Sequence, residues 1–226
     1  PFSYFDQNGH YRGITADLLS MIDEESIIGI QVVKFSDIDQ ATQALLSGKV
    51  DVIADFSLTP ERKQKFGFTR PYLISPLVMV ARKSFKGVMH LEDMAGRTLA
   101  IPRGHALKTY IKQRFPQIKL LETASVPETL TLVAQGYADA TIHPLNIARY
   151  YIARSFEDNL RVSGVLDVAP TKAAFAVRPA DAELLGILEQ ALLSFTPDQM
   201  SILSNRWRTN ALIIEPSWRN YKRLIY

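Results

Sequence analysis

Apolar positions along this chain switch repeatedly between two spacings. Short unbroken or alternating runs suit strands, three-to-four-residue spacing suits helices, and short Gly- or Pro-bearing connections separate them. That alternation predicts an α/β protein with mostly parallel strands. Two stretches repeat one pattern. LLSGKVDVIAD (Leu45 to Asp55) and VAQGYADATIH (Val133 to His143) each run from a helix end through glycine and aspartate into an apolar strand. The glycines (136 − 48) and the aspartates (139 − 51) share one offset of 88 residues. Each unit opens on a capping box, Asp37 with Gln40 and Ser125 with Glu128, and each glycine stands where a left-handed helix cap is wanted. Two similar lobes in one chain follow.

Two further apolar runs, LVMVARK (Leu77 to Lys83) and AAFAVRP (Ala173 to Pro179), suit strands that leave lobe 1 and return to it. The expected division is lobe 1 over 1–82 and 177–226 and lobe 2 over 83–176, with the two strands as hinge and a ligand cleft between the lobes. Near the end, Thr196, Pro197 and Gln199 cap a helix carrying Met200, Leu203 and Trp207 on one face. Trp218, Tyr221 and Ile225 would share a face of a connector helix over about 209–226.

Composition narrows the classes. The 226 residues hold 26 basic and 23 acidic side chains, a net +3 with no long basic run, so nucleic acid is not an expected partner. No apolar run reaches the roughly 18 residues of a membrane span. With no cysteine there is no disulfide, thiol catalysis or thiolate metal site. The four histidines show no metal-ligand spacing, and no cofactor is implied. Thr59, Pro60 and Glu61 open a short helix in a favourable way, but Arg62 places a cation in its first turn. Such a charge calls for an anion nearby, either a neighbouring acid or a ligand.

The segments PFSYFDQNGHYRGITADLLSMI, LLSGKVDVIADFSLTPERKQKFGFTRPY, GRTLAIPRGHALKTYI and QGYADATIH resemble, in order and spacing, type II periplasmic solute-binding domains of the polar amino-acid class. NIARYYI, FAVRPADAELLGILEQALLSFTPDQMSILSNRW and SWRNYKRLIY are similar to the membrane-proximal Venus-flytrap domain of BvgS-type hybrid sensor histidine kinases. The resemblance implies a two-lobed periplasmic domain without enzymatic activity of its own. It also implies a C-terminal helix leading to a membrane-spanning segment, and a homodimer in the full receptor. In the family a strand and an aromatic-bearing loop precede the equivalent of Pro1, and an acid that pairs with the ligand ammonium stands where this chain has Pro144.

For the site, the resemblance implies Phe56, Ser57 and Arg62 on the lobe 1 wall. Arg62 would grip a carboxylate and Phe56 would stack on the ligand. Opposite them, Gly104, His105 and Ala106 would offer backbone N–H groups, with Arg103 adding charge. His143 would face the cleft, and Asp55 would either meet a cationic ligand group or hold Arg62. The implied partner is a small anionic metabolite. Two other readings share the site: a solute-binding subunit of an importer, and an enzyme resembling cyclohexadienyl dehydratase with Asp55 as its acid.

Overall fold

The computed structural model describes residues 2–209 apart from Gln7, Ile27 and Val88. The segment expected before Pro1 and the connector beyond Thr209 lie outside the described residues. In chain order the elements are β1 (Tyr4–Phe5), β2 (Tyr11–Arg12), α1 (Ile14–Ser26), α2 (Ile38–Leu46), β3 (Ile53–Ser57), α3 (Pro60–Lys63), β4 (Gly67–Phe68), β5 (Leu73–Ser75) and β6 (Leu77–Arg82). They continue with β7 (Thr98–Pro102), α4 (Lys108–Arg114), β8 (Lys119–Thr123), α5 (Val126–Gln135), β9 (Ala140–Pro144), α6 (Leu145–Tyr151), β10 (Leu160–Val165), β11 (Thr171–Val177), α7 (Ala182–Ser194) and α8 (Pro197–Thr209).

Strands β3, β4 and β5 all pair with β11 to form the lobe 1 sheet, and lobe 2 is built on the order β10-β6-β9-β7-β8. The architecture is therefore the expected two-lobed α/β one, with two differences. Among the described residues only β7 with β8 and β7 with β9 run parallel. The crossing strands β6 and β11 run against all their partners, so most pairings are antiparallel. The crossing strands also belong wholly to the lobe they enter. Strand β6 pairs with β9 and β10, and β11 pairs with β3, β4 and β5. Sheet membership thus puts the lobe boundaries near Pro76 and in the 166–170 segment, not at 82/83 and 176/177.

Burial explains the lobe 2 strands. Along β6, Leu77, Met79 and Ala81 enter one core cluster while Val78 and Val80 enter the other, and all five are buried. A strand covered on both faces reads as an unbroken apolar run. In lobe 1, Ala173, Phe175 and Val177 of β11 face a core shared with α1, α7 and α8, where Leu203 is buried and Met200 and Trp207 pack against it. The capping box at Thr196 and Gln199 is complete, with each residue's N–H donating to the other's side chain (2.8 and 3.2 Å). Among the described residues β3 pairs only with β11. A groove of about 560 Å³ lies in lobe 1, lined by residues that include Ile30, Val32, Val33, Phe35, Val50 and Val52.

The repeated units share a fixture that their spacing does not disclose. In lobe 1, Arg178 Nη1 donates to the carbonyls of Leu45 (3.2 Å) and Val50 (2.8 Å). In lobe 2, Arg82 Nη1 donates to those of Val133 (2.8 Å) and Ala138 (2.8 Å). Each arginine ends or follows a crossing strand, and each adds a charged donor to a helix-terminal carbonyl that also accepts the N–H of the turn glycine (Gly48 to Leu45, 3.1 Å; Gly136 to Val133, 3.2 Å). Gly48 (φ +73°) and Gly136 (φ +87°) make the left-handed turns beneath them.

Candidate functional site

Strand β3 carries the lobe 1 wall, and its irregularity decides which side chains face the core. Pairing with β11 shifts register between Ala174↔Phe56 and Ala176↔Ile53, so three steps on β3 oppose two on β11. The extra residue accompanies Asp55, whose φ is +56°. Ile53 and Phe56 therefore share the core face, where strict alternation would have separated them. Phe56 is 1% exposed, stacked on Phe68 (centroids 5.8 Å, 13°) and edge-on to Phe66 (5.7 Å). The expected ligand stacker is instead a core residue. Its remaining role at the site is as a platform, with the Arg62 guanidinium 4.0 Å from its ring centroid.

Arg62 starts from the expected cap: Thr59 Oγ1 accepts its backbone N–H (3.3 Å), and Pro60 occupies the first turn. Helix α3 is a single turn of four residues. Its dipole is correspondingly small, and the positive field here belongs to the side chain. Nη1 donates to the Ser57 carbonyl (2.9 Å) and Nη2 crosses to the Gly104 carbonyl of lobe 2 (2.8 Å). Both acceptors are neutral. Among the described residues no carboxylate lies within 4.0 Å of this guanidinium. Burial lowers its pKa to about 10, against the more distant pull of Asp39 and Glu61, so it stays a cation at neutral pH.

Lobe 2 meets this wall through the turn after β7. Gly104 (φ +75°) packs so closely that a Cβ there would overlap Ile38 of α2. Arg103 Nη1 pairs with Asp37 Oδ2 (3.0 Å), and Asp37 Oδ1 caps α2 by accepting from Gln40 N (2.9 Å). That cap bond and then Arg103 hold the carboxyl of Asp37 below its usual range. Arg103 thus fastens the lobes together and does not simply add charge to the cleft. Of the three expected amide donors, His105 N–H is taken by the Pro102 carbonyl (3.1 Å). The N–H groups of Gly104 and Ala106 have no acceptor among the described residues. His105 Nδ1 accepts from Leu107 N–H (3.2 Å), which leaves the neutral ring's proton on Nε2. Desolvation, then the charge of Arg62, lowers its pKa to about 4.

His143, expected to face the cleft, is a buried and hydrogen-bonded histidine. It is 1% exposed, and its Nε2 lies 2.8 Å from Thr129 Oγ1 and 3.0 Å from Thr141 Oγ1. Thr129 gives its own proton to the Val126 carbonyl (2.7 Å), so it accepts from His143. The ring is tied to α5, and burial lowers its pKa to about 3. Asp55 does not hold Arg62 either. Its Oδ2 accepts from Ser3 Oγ (3.0 Å) and its N–H donates to Tyr72 Oη (2.9 Å), which in turn bonds Thr15 Oγ1 (3.0 Å). Desolvation raises the Asp55 carboxyl to about 7. Ser57 contributes its carbonyl to Arg62, while its hydroxyl accepts from Thr171 (3.2 Å).

The structure thus brings together Ser57, Arg62, Gly104, His105 and Ala106 across the lobe junction and sets Asp55 in an adjoining polar cluster. Ser3, Tyr11, Thr15 and Tyr72 complete that cluster and were missed by the sequence reading. The hydroxyl pattern of SY and YRGIT at the amino-terminal end was the available signal. Among the described residues no group of three acidic or histidine side chains could hold a metal. No described helix is long and apolar enough to cross a membrane.

Residues 1–210 match the family model described as bacterial extracellular solute-binding proteins, family 3. The chain is 30% identical to virulence sensor protein BvgS of Bordetella bronchiseptica over 227 residues, covering all of this chain but 18% of that protein. It is 26% identical to the amino-acid-binding protein AabA of Dichelobacter nodosus, covering 93% of this chain and 84% of that one. The crystal structure of the B. pertussis BvgS periplasmic domain superposes with a TM-score of 0.84 at 28% identity, over 92% of this chain and 40% of that one. These relatives are sensor or binding proteins. The chain belongs to the family 3 bacterial extracellular solute-binding proteins.

Proposed function

We propose that this domain is the periplasmic ligand-sensing part of a membrane-bound hybrid histidine kinase that works as a homodimer, and that its cleft takes a small anionic metabolite at Arg62. The observation that carries the reading is the guanidinium itself. It is a partly desolvated cation at the lobe junction, bonded to neutral carbonyls from both lobes, with no carboxylate in contact among the described residues. A partly buried charge without a counter-ion carries a desolvation cost, and an incoming carboxylate would relieve it. The N–H groups of Gly104 and Ala106 supply uncharged donors from the opposite wall. Pro144 stands where an ammonium-pairing acid would be, so an α-amino group is not required of the ligand.

Because Arg62 touches both lobes, a ligand that competes for its N–H groups acts on the junction directly. It signals only to the extent that it binds one lobe arrangement more tightly than the other. The test is a thermal-shift screen of small mono- and dicarboxylates on the chain and on Arg62→Gln. A carboxylate at about a hundred times its Kd should add about 2.7 kcal/mol of stability to the parent. It should add almost none to the variant. Stabilisation by a compound lacking any negative group, or an equal shift in both proteins, would overturn the assignment. The similarity to AabA over most of that protein's length supports a second reading, a soluble binding subunit using the same cleft.

A further inference from the structure

Three aromatic rings join parts of the molecule that belong to different lobes. Tyr4, in the short strand β1 of lobe 1, lies 5.5 Å from Tyr150 of α6 in lobe 2, with the rings inclined at 45°. On its other side it meets Trp207 of α8 at 6.3 Å, edge to face at 84°. Tyr150 is 7% exposed. Its ring is further boxed by Tyr151 (5.2 Å, 86°) and by the Arg154 guanidinium at 5.9 Å. Trp207 is fixed to lobe 1 from behind: its Nε1 donates to Asp17 Oδ2 (2.9 Å), and Arg206 pairs with the same oxygen (3.3 Å).

We propose that Tyr4 couples the position of lobe 2 to helix α8, so that movement of lobe 2 is read at the end of the chain through Tyr150, Tyr4 and Trp207. This rests on the reading that lobe movement is the signal. Helix α6 is attached beside the crossing point, where Leu145 N–H donates to the Pro76 carbonyl (2.9 Å) and Asn146 Oδ1 accepts from Ser75 (3.1 Å). Tyr150 stands about 7 Å further along that helix and moves with lobe 2. Ring contacts are short-ranged, so a displacement of about 1 Å alters them. Tyr4 is suited to respond because β1 is two residues long and pairs with β2 alone among the described residues. So small an element opens at low free-energy cost.

The test uses the full chain carrying Trp218→Phe, which leaves Trp207 as the single tryptophan. Gly104→Val places a side chain where Ile38 sits and drives the lobes apart, which small-angle scattering reads as a larger radius of gyration. The emission of Trp207 should shift to the red in that variant, and Tyr4→Ala should abolish the difference between open and closed proteins. Opening without any emission change, or a shift that persists without Tyr4, would overturn the coupling. A second arm needs no opening. Tyr150→Ala should alter Trp207 emission in the presence of Tyr4 and leave it unchanged in Tyr4→Ala; additive effects would sink the proposal. Neither arm uses a ligand, so failure of the Arg62 assignment would leave this result standing, and the reverse also holds.

Discussion

The two repeated units are built alike and end differently. In each, a glycine in the left-handed region stops the helix and an arginine from beyond a crossing strand clamps the turn. That arginine reaches Leu45 and Val50 in lobe 1 and Val133 and Ala138 in lobe 2. The clamped carbonyls keep the 88-residue offset of the glycines (133 − 45 and 138 − 50). Beyond the clamp the likeness stops. Strand β3 bulges at Asp55 and delivers Ser57 and Arg62 to the junction, whereas β9 runs straight and keeps His143 under α5. The scaffold is duplicated, and the chemistry resides in the last residues of one copy.

If the clamps are equivalent, removing either should cost a similar amount. Arg82→Ala and Arg178→Ala each leave two carbonyls without a charged donor, and each should lower the urea midpoint to a similar extent. Urea denaturation measures this, and a large loss in only one variant would break the parallel. The next effect separates the lobes by the sign of their pH response. Asp55 has a folded pKa of about 7 against an ordinary 3.8. The folded state therefore holds its proton more tightly, and stability falls as pH rises between those values. His143, lowered from 6.5 to about 3, acts the other way, and stability falls as pH drops through that interval. Asp55→Asn should raise stability by about 2 kcal/mol at pH 8 and little at pH 4. His143→Gln should show a relative gain at pH 4 that disappears at pH 8. Denaturation midpoints at both pH values check the two signs. The smallest effect is expected at the turns. Gly48→Ala and Gly136→Ala meet only an arginine Nη1 at 3.7 Å, so each should cost about 1 kcal/mol from backbone strain alone.

The residues that could be read from sequence are those whose signal is local. Gly48 and Gly136, the caps at Asp37 and Ser125, and the heptad-like spacing of Met200, Leu203 and Trp207 declare themselves within a few positions. Arg82 and Arg178 do not, because they are 96 residues apart (178 − 82) in a chain whose repeat is 88, and each acts on a carbonyl far along the sequence. The preponderance of antiparallel pairing was hidden for the same reason, since strand direction depends on a distant partner. The resemblance implies Phe56 on the cleft wall and carries no information about the backbone at 55; one residue with positive φ there turns Phe56 to the core face beside Ile53. The Arg103 to Asp37 bridge needed the lobes to be brought together before either residue could be seen as more than a cap or a surface charge.

The conformation of residue 55 also limits how this site can diversify. A backbone at φ +56° inside a strand is accessible at little strain to Gly, Asn and Asp, and to few other residues. At this position single substitutions can therefore offer the cluster of Ser3, Tyr11 and Tyr72 a carboxylate, an amide or open space while the strand stays as it is. Chemical identity there is drawn from an alphabet of three letters, and the backbone sets that alphabet before any ligand does.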